Sequence, residues 1–169
     1  MRALTVSEIM GLQRVKRWHT RDTSQPQTLA SHSASVALLA LMVGGPDLPH
    51  ELRFPTVMLG LSHDAHEIIG GDNPSPARVV LLEMGIDLDG IVQKLFWGED
   101  APFSGFPPLV HDLVAVADKL DAAFWAHRYV PDLAPHIALE AEAVVMKMLK
   151  DEHRWSMRSR ALEILKEGL

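Results

Sequence analysis

The sequence predicts an all-α protein, a bundle of about six to eight helices in a single domain spanning residues 1–169. Three observations predict it. Apolar residues recur at helical spacing almost everywhere, as in the stripe Leu29, His32, Val36, Leu39, Val43, where a histidine takes an aliphatic place. Val, Ile and Thr form no long alternating run, so strands are not expected. Gly and Pro gather at Gly44-Gly45-Pro46, Gly70-Gly71 and Asn73-Pro74-Ser75-Pro76, cutting the chain into pieces of helix length. There is no internal repeat, low-complexity segment or linker. A chain of 169 residues is long enough to bury a substantial core.

The elements follow in order. A first helix is expected from Ser7, as N-cap, to about residue 15. A polar, turn-prone stretch runs from Arg21 to Gln27. The second helix covers 28–43 and stops at the glycine pair. The third covers 54–69 and ends at Gly70-Gly71. Ser75 is the expected N-cap of a short helix over 76–84, with Pro76 at its first position. Another helix covers 88–97. Residues 98–108 read as a loop. Helices over 109–129, 135–149 and 151–166 complete the domain.

Composition narrows the function. Net charge is −6, so a basic footprint for polymeric nucleic acid is absent. A small anionic substrate remains compatible with that balance. There is no cysteine, which excludes disulfides, iron–sulfur clusters and thiolate chemistry, and leaves nine histidines and the carboxylates as the available metal ligands. The N-terminal MRALTVSEIM is too polar for a signal segment. No apolar stretch is expected to approach the roughly 20 residues that cross a membrane. The expected location is the cytoplasm, with no membrane partner.

Polar residues fall where the helical period demands apolar ones. His32 lies on the core stripe of the second helix. Asp64, beside His63, lies on the stripe Val57, Leu61, Asp64, Ile68. Asp118 and Asp121 share the stripe Val110, Val114, Asp118 (or Ala117), Asp121, Trp125. An unpaired buried carboxylate costs several kcal/mol, so this set calls for a cation. A divalent ion accepts imidazole nitrogen and carboxylate oxygen together. His63-Asp64 is distinguished by Glu67, four residues after His63, and by Asp72 beyond the glycines. A second pair, His111-Asp112, has no such company. It reads as structural, with Asp112 at the positive end of a helix.

Together, His32, His63-Asp64 and Asp118 resemble the ligand pattern of the HD-domain phosphohydrolase superfamily, over about residues 14–125. The run HDAHEIIGGDNPSP resembles the HD-x-x-E-x-x-x-G-D-x-P-x-P signature of YfbR-like 5'-deoxynucleotidases, and Arg17-Trp18 resembles their Arg-Trp pair. Compactness and the run RVKRWHT are similar to the DatZ-like branch of phage dATP triphosphohydrolases. The resemblance implies an all-helical fold and one divalent metal (Zn, Co, Mn or Mg) on His32, His63, Asp64 and Asp118. It implies Glu67 as the acid/base residue and Asp72 as a second active-site carboxylate. Arg17 would bind phosphate, Trp18 would meet sugar and base, Thr20 would help shape an adenine pocket, and the segment around Pro74 would form another wall. Lys16 would assist a triphosphate. Relatives often carry Glu before the lone histidine, where this chain has Ser31, so support for that ligand would be weaker.

The implied reaction is hydrolysis of the O5'–Pα ester of a deoxynucleotide with release of the deoxynucleoside. A dATP triphosphohydrolase is placed ahead of a 5'-deoxynucleotidase acting on monophosphates. Blander readings stand beside these: Glu67 as a clamp on His63, Arg17 and Lys16 as surface cations, and Trp18 as core. A non-catalytic nucleotide-binding module and a structural metal in an interaction protein are the readings from other classes. A homo-oligomer, dimer or hexamer, is expected by analogy, with the apolar ends of the last two helices as contacts.

Overall fold

The computed structural model describes residues 4–98 and 103–169, and only the backbone of Ser75 and Pro76. Its helices among the described residues are α1 (Val6–Gly11), α2 (Leu29–Gly44), α3 (His50–Ser62), α4 (Glu67–Gly70), α5 (Ser75–Glu83), α6 (Leu88–Trp97), α7 (Pro108–Tyr129), α8 (Ala134–Met148) and α9 (Trp155–Gly168). Because α4 is a single turn, eight helices exceed one turn, in line with the all-α expectation. Strands are not wholly absent. Lys16–Arg17 (β1) and Gln27–Thr28 (β2) pair antiparallel, Lys16 opposite Thr28 and Arg17 opposite Gln27. The polar stretch expected to be only a turn is therefore the loop of a short ribbon. Packing divides the chain into two compact units, Met1–Ser31 with His63–Gly105, and His32–Ser62 with Phe106–Leu169.

The first unit holds α1, the ribbon, α4, α5 and α6. Helix α1 starts earlier than expected, because Thr5 rather than Ser7 caps it. The Thr5 hydroxyl accepts from the Glu8 N–H at 3.3 Å, and the Glu8 carboxylate accepts from the Thr5 N–H at 2.8 Å. That reciprocal capping box outweighs a lone serine. Leu12, Leu29, Ala65, Phe96 and Trp97 form the core, with Val15, Ile68 and Phe103 packed against it. Trp97 stands edge-on to Phe96 and to Phe103, at centroid separations of 4.6 and 5.7 Å. Helix α6 is capped by the Asp87 carboxylate, which accepts from the Gly90 N–H at 3.0 Å, and stops at Gly98, whose φ of 87° suits glycine. Helix α5 begins at Ser75, so Pro74 takes the N-cap place foreseen for Ser75.

The second unit is built around α7, about 33 Å long by its 22 residues. Helices α3, α8 and α9 pack against it. Its buried face carries Val110, Val114, Ala117, Asp121 and Ala126, close to the expected stripe. Helix α2 buries Val36, Ala37, Ala40 and Val43. Gly60 of α3 sits so close to α2 that a methyl group there would lie 2.6 Å from the Ala37 Cα, which explains why a helix interior carries glycine. The α2 C-terminus is closed by Arg160, which donates to the Val43 and Gly44 carbonyls at 2.6 and 3.0 Å and to Asp47 at 2.7 Å. That guanidinium holds the Asp47 carboxyl below its ordinary pKa. The segment Leu29–Asp47, 19 residues, is long and apolar enough by length and composition to cross a membrane, contrary to the sequence expectation. It is 44% buried within the protein and carries the enclosed His32, as a core helix does.

Helix α3 departs most from expectation. It begins at His50, so Pro55 lies inside it rather than near its start. Proline's missing N–H costs the Glu51 carbonyl its helical partner, a loss that falls on an exposed residue, where it is least costly. The helix also stops at Ser62 instead of running to residue 69. The Ser62 hydroxyl bonds back to the Met58 carbonyl, competing with the ladder. Beyond it the chain tightens into three-residue bonds, Glu67 N–H to Asp64 C=O at 2.9 Å and Ile69 N–H to His66 C=O at 3.1 Å. The buried face of α3 is accordingly Thr56, Leu59, Gly60 and Ser62, while Leu61, expected inward, is 41% exposed.

Candidate metal centre and substrate-binding segments

The sequence-predicted ligands fall into two groups. His32 and Asp118 belong to the second unit, on α2 and α7. His32 is fully enclosed. Its Nε2 lies 3.3 Å from Asp118 Oδ1, and its Nδ1 lies 2.6 Å from Asp121 Oδ2. The imidazole is thus bracketed by two carboxylates from successive turns of one helix. Asp121 is buried, whereas the Asp118 side chain is 28% exposed.

His63 and Asp64 belong to the first unit and are the two residues directly after the last residue of α3. His63 Nε2 lies 3.1 Å from Asp64 Oδ2. Their placement comes from the tight turn and not from a continuous helix stripe. With three-residue bonding, Glu67 stands above Asp64 rather than above His63. Glu67 opens α4 and is half-buried.

Both donor pairs fit a small divalent ion. Two ligands at about 2.1 Å from one ion stand about 3.0 Å apart at a right angle and about 3.4 Å apart at a tetrahedral angle. The separations of 3.3 Å for His32–Asp118 and 3.1 Å for His63–Asp64 fall in that interval. His66, in the same turn as His63 and Asp64, is buried, and burial pushes its imidazole below the ordinary value against the pull of the Asp64 and Asp89 carboxylates.

The expected substrate contacts lie on the first unit. Lys16 and Arg17 form β1, with Lys16 exposed and Arg17 half-buried. Trp18 follows in the left-handed region at φ 62°, a strained conformation for a bulky residue. Its Nε1–H donates to Gln27 Oε1 at 2.9 Å, and Gln27 is 2% exposed, so the indole is held by a buried partner rather than packed wholly in the core. Thr20 is exposed in the ribbon loop. Asp72 lies 3.6 Å from His19 Nδ1. Pro74 leads into α5, where Asn73 and Arg78 share Asp89, at 3.3 and 3.2 Å.

The second His-Asp pair has a structural contact, but not the expected one: Asp112 lies beyond the first turn of α7, so a guanidinium engages it rather than the helix end. Asp112 accepts from Arg154 at 2.6 Å, and the same guanidinium bonds the Met148 carbonyl at 3.1 Å. Three residues gained roles that the sequence had not assigned: Asp121 against His32, Gln27 against Trp18, and His19 beside Asp72. Only Asp121 carried a signal, its place three residues after Asp118 on the same inward stripe.

Residues 6–87 match the 5'-deoxynucleotidase YfbR-like family. A dATP triphosphohydrolase of Salmonella phage PMBT28 is 31% identical over 134 residues, covering 74% of this chain and 67% of that protein. The HD phosphohydrolase DatZ of cyanophage S-2L, solved with dA and one catalytic Zn2+ ion, superposes with a TM-score of 0.80 at 20% identity over 99% of each chain. The helical architecture, the His…His-Asp…Asp donor set and these likenesses agree, and the chain belongs to the HD-domain metal-dependent phosphohydrolases, in the group that holds YfbR-like 5'-deoxynucleotidases and phage dATP triphosphohydrolases.

Proposed function

We propose that this chain hydrolyses the O5'–Pα ester of dATP, releasing deoxyadenosine and triphosphate. One divalent ion would be held by His32, His63, Asp64 and Asp118. The reading rests on the two donor pairs, each spaced as neighbouring ligands of one ion. His32, His63 and Asp118 offer the nitrogen and oxygen donors such an ion takes. The same reading takes residues 1–169 as a single HD-type phosphohydrolase domain. The substrate follows the phage relative's name and the dA held by the cyanophage protein.

An ion bound there acidifies a water and neutralises charge on phosphate oxygens. The protein's own groups do the rest. Glu67 moves the proton, from the attacking water or to the leaving O5' as the P–O5' bond breaks and the new P–O bond forms. Arg17 offers a planar, permanently charged fork to phosphate oxygens, and Lys16 a further charge for a longer phosphate chain. Trp18, held by Gln27, presents a fixed ring to sugar and base, with Thr20 and Pro74 bordering the adenine site. Asp72 supplies a second active-site carboxylate.

The runner-up is a 5'-deoxynucleotidase acting on monophosphates, favoured by the YfbR-like match over residues 6–87. A panel of deoxynucleoside mono- and triphosphates, run with Zn, Co, Mn and Mg and separated by chromatography, decides between them. Deoxyadenosine with intact triphosphate is the expected product. Inorganic phosphate released broadly from monophosphates, with dATP untouched, would select the runner-up.

The same reading includes a homo-oligomer in the cytoplasm, or in the host cytoplasm if a phage encodes it. Apolar side chains left in water support assembly: Val79, Val80 and Leu82 on α5, Met84 just after it, Leu95 on α6, and Leu139 and Trp155 on α8 and α9, are each more than half exposed, and a second copy is the partner proposed to cover them. Sedimentation equilibrium is expected to give a multiple of the 18.7 kDa chain mass. A monomer at micromolar concentration would remove this element and leave the catalytic reading standing.

A further inference from the structure

We propose that Asp121 is a positioning residue for the metal centre. Its carboxylate holds the Nδ1 proton of His32 and so turns the Nε2 lone pair toward the ion. This inference rests on the ligand set proposed above.

The geometry separates the two carboxylates that flank the imidazole. Asp121 Oδ2 stands 2.6 Å from Nδ1, the short distance of a charge-assisted bond. Asp118 Oδ1 stands 3.3 Å from Nε2, longer than a good hydrogen bond and suited to sharing an ion. Burial separates them the same way. Asp121 is 7% exposed, so it is enclosed with the ring it touches, while the Asp118 side chain keeps access to solvent.

His32 is fully enclosed, so no water is free to settle which nitrogen carries the proton. A carboxylate against Nδ1 settles it. The other tautomer would set a nitrogen lone pair against carboxylate oxygen and would place a proton where the ion must bind. Metal-bound histidines commonly donate their second N–H to a carboxylate, which orients the ring and raises its basicity. Ser31, the residue before His32, has no carboxylate to offer the ring, and the support comes from α7, on the helix that also carries Asp118.

The test compares metal affinity by competition against a chromophoric chelator, with Zn as the probe, for the native chain, Asp121→Asn and His32→Ala. Asp121→Asn is expected to weaken Zn binding about 10- to 100-fold, the usual effect of losing such a partner. Affinity for Asp121→Asn within about threefold of native, where the loss of a true partner would be larger, overturns the inference. If His32→Ala also binds Zn normally, the ligand set itself has failed. If His32→Ala loses Zn while Asp121→Asn keeps it, only the role of Asp121 has failed.

A second measurement needs no substitution, so a variant that does not fold leaves the question decidable. The native chain is loaded with an NMR-active cadmium isotope and its histidines are labelled with heavy nitrogen. Metal–nitrogen coupling is expected at Nε2 of His32, with a proton retained on Nδ1. Coupling at Nδ1 overturns the proposal. A purely structural contact would leave the coupling pattern indifferent to Asp121, whereas here Asp121→Asn is expected to weaken or redistribute it.

Discussion

Glu67→Gln is expected to lower turnover of deoxynucleotide at least about a hundredfold while leaving the metal in place, the scale on which losing acid/base help is felt. The substitution keeps the side chain's length and shape and removes its capacity to take or give a proton. Glu67 opens α4, where the tightened turn carries it above Asp64. Its position therefore comes from the backbone, and the amide will occupy much the same place. Metal content by elemental analysis, measured beside kcat, separates this role from that of a clamp on His63. A clamp would release metal and lower kcat through that loss. An acid/base residue leaves the metal bound and kcat depressed. Unchanged kcat in the metal-loaded variant would remove Glu67 from the mechanism.

The fold class was legible because helical periodicity and Gly/Pro punctuation are local signals. Helix α6 was foreseen with its full range, and α7 to within one residue, since their ends are marked by residues that act on the spot: Asp87 as a cap, Gly98 at positive φ, and Pro107-Pro108 at a helix start. Helix α3 was less legible. Proline inside a helix and a serine bonding back at its end are both tolerated or enforced by surroundings that a linear pattern does not display. The β1–β2 ribbon was invisible for a similar reason. Two-residue strands have no periodicity to detect, and their pairing joins residues on either side of a polar loop.

Legibility at the site divides along the same line. The ligand candidates stood out because His32, Asp64 and Asp118 each interrupt an apolar pattern. Their contacts did not, although Asp121 lies on the same stripe as Asp118. Asp121 meets His32 across 89 residues, and Gln27 meets Trp18 across nine, through contacts that only folding creates. The strained φ of Trp18 likewise has no sequence marker, since nothing in the residue type announces a left-handed backbone. Sequence thus singles out the groups proposed to bear the chemistry, and the structure adds the residues that touch them.

Asp64→Ala carries the other large expectation. It should abolish tight metal binding and reduce turnover at least about a thousandfold, as several kcal/mol of charge stabilisation disappear at about 1.36 kcal/mol per decade of rate. Asp64 is the second carboxylate in the proposed set and stands 3.1 Å from His63 Nε2. Losing it removes a ligand and also the partner of a ligating imidazole. The melting temperature supplies an independent reading, because an ion that binds only the folded chain raises it, and that rise should vanish in the variant. The chain carries its own control in the second His-Asp pair. Asp112 is engaged by Arg154 at 2.6 Å and lies outside the ligand set. Asp112→Ala is therefore expected to lose some stability yet keep the metal-induced rise in melting temperature and the turnover of the folded enzyme. Equal behaviour of the two variants would mean that the dipeptide, and not the constellation around His63-Asp64, had guided the assignment. Metal content and melting behaviour both untouched in Asp64→Ala would end the case for that ligand set.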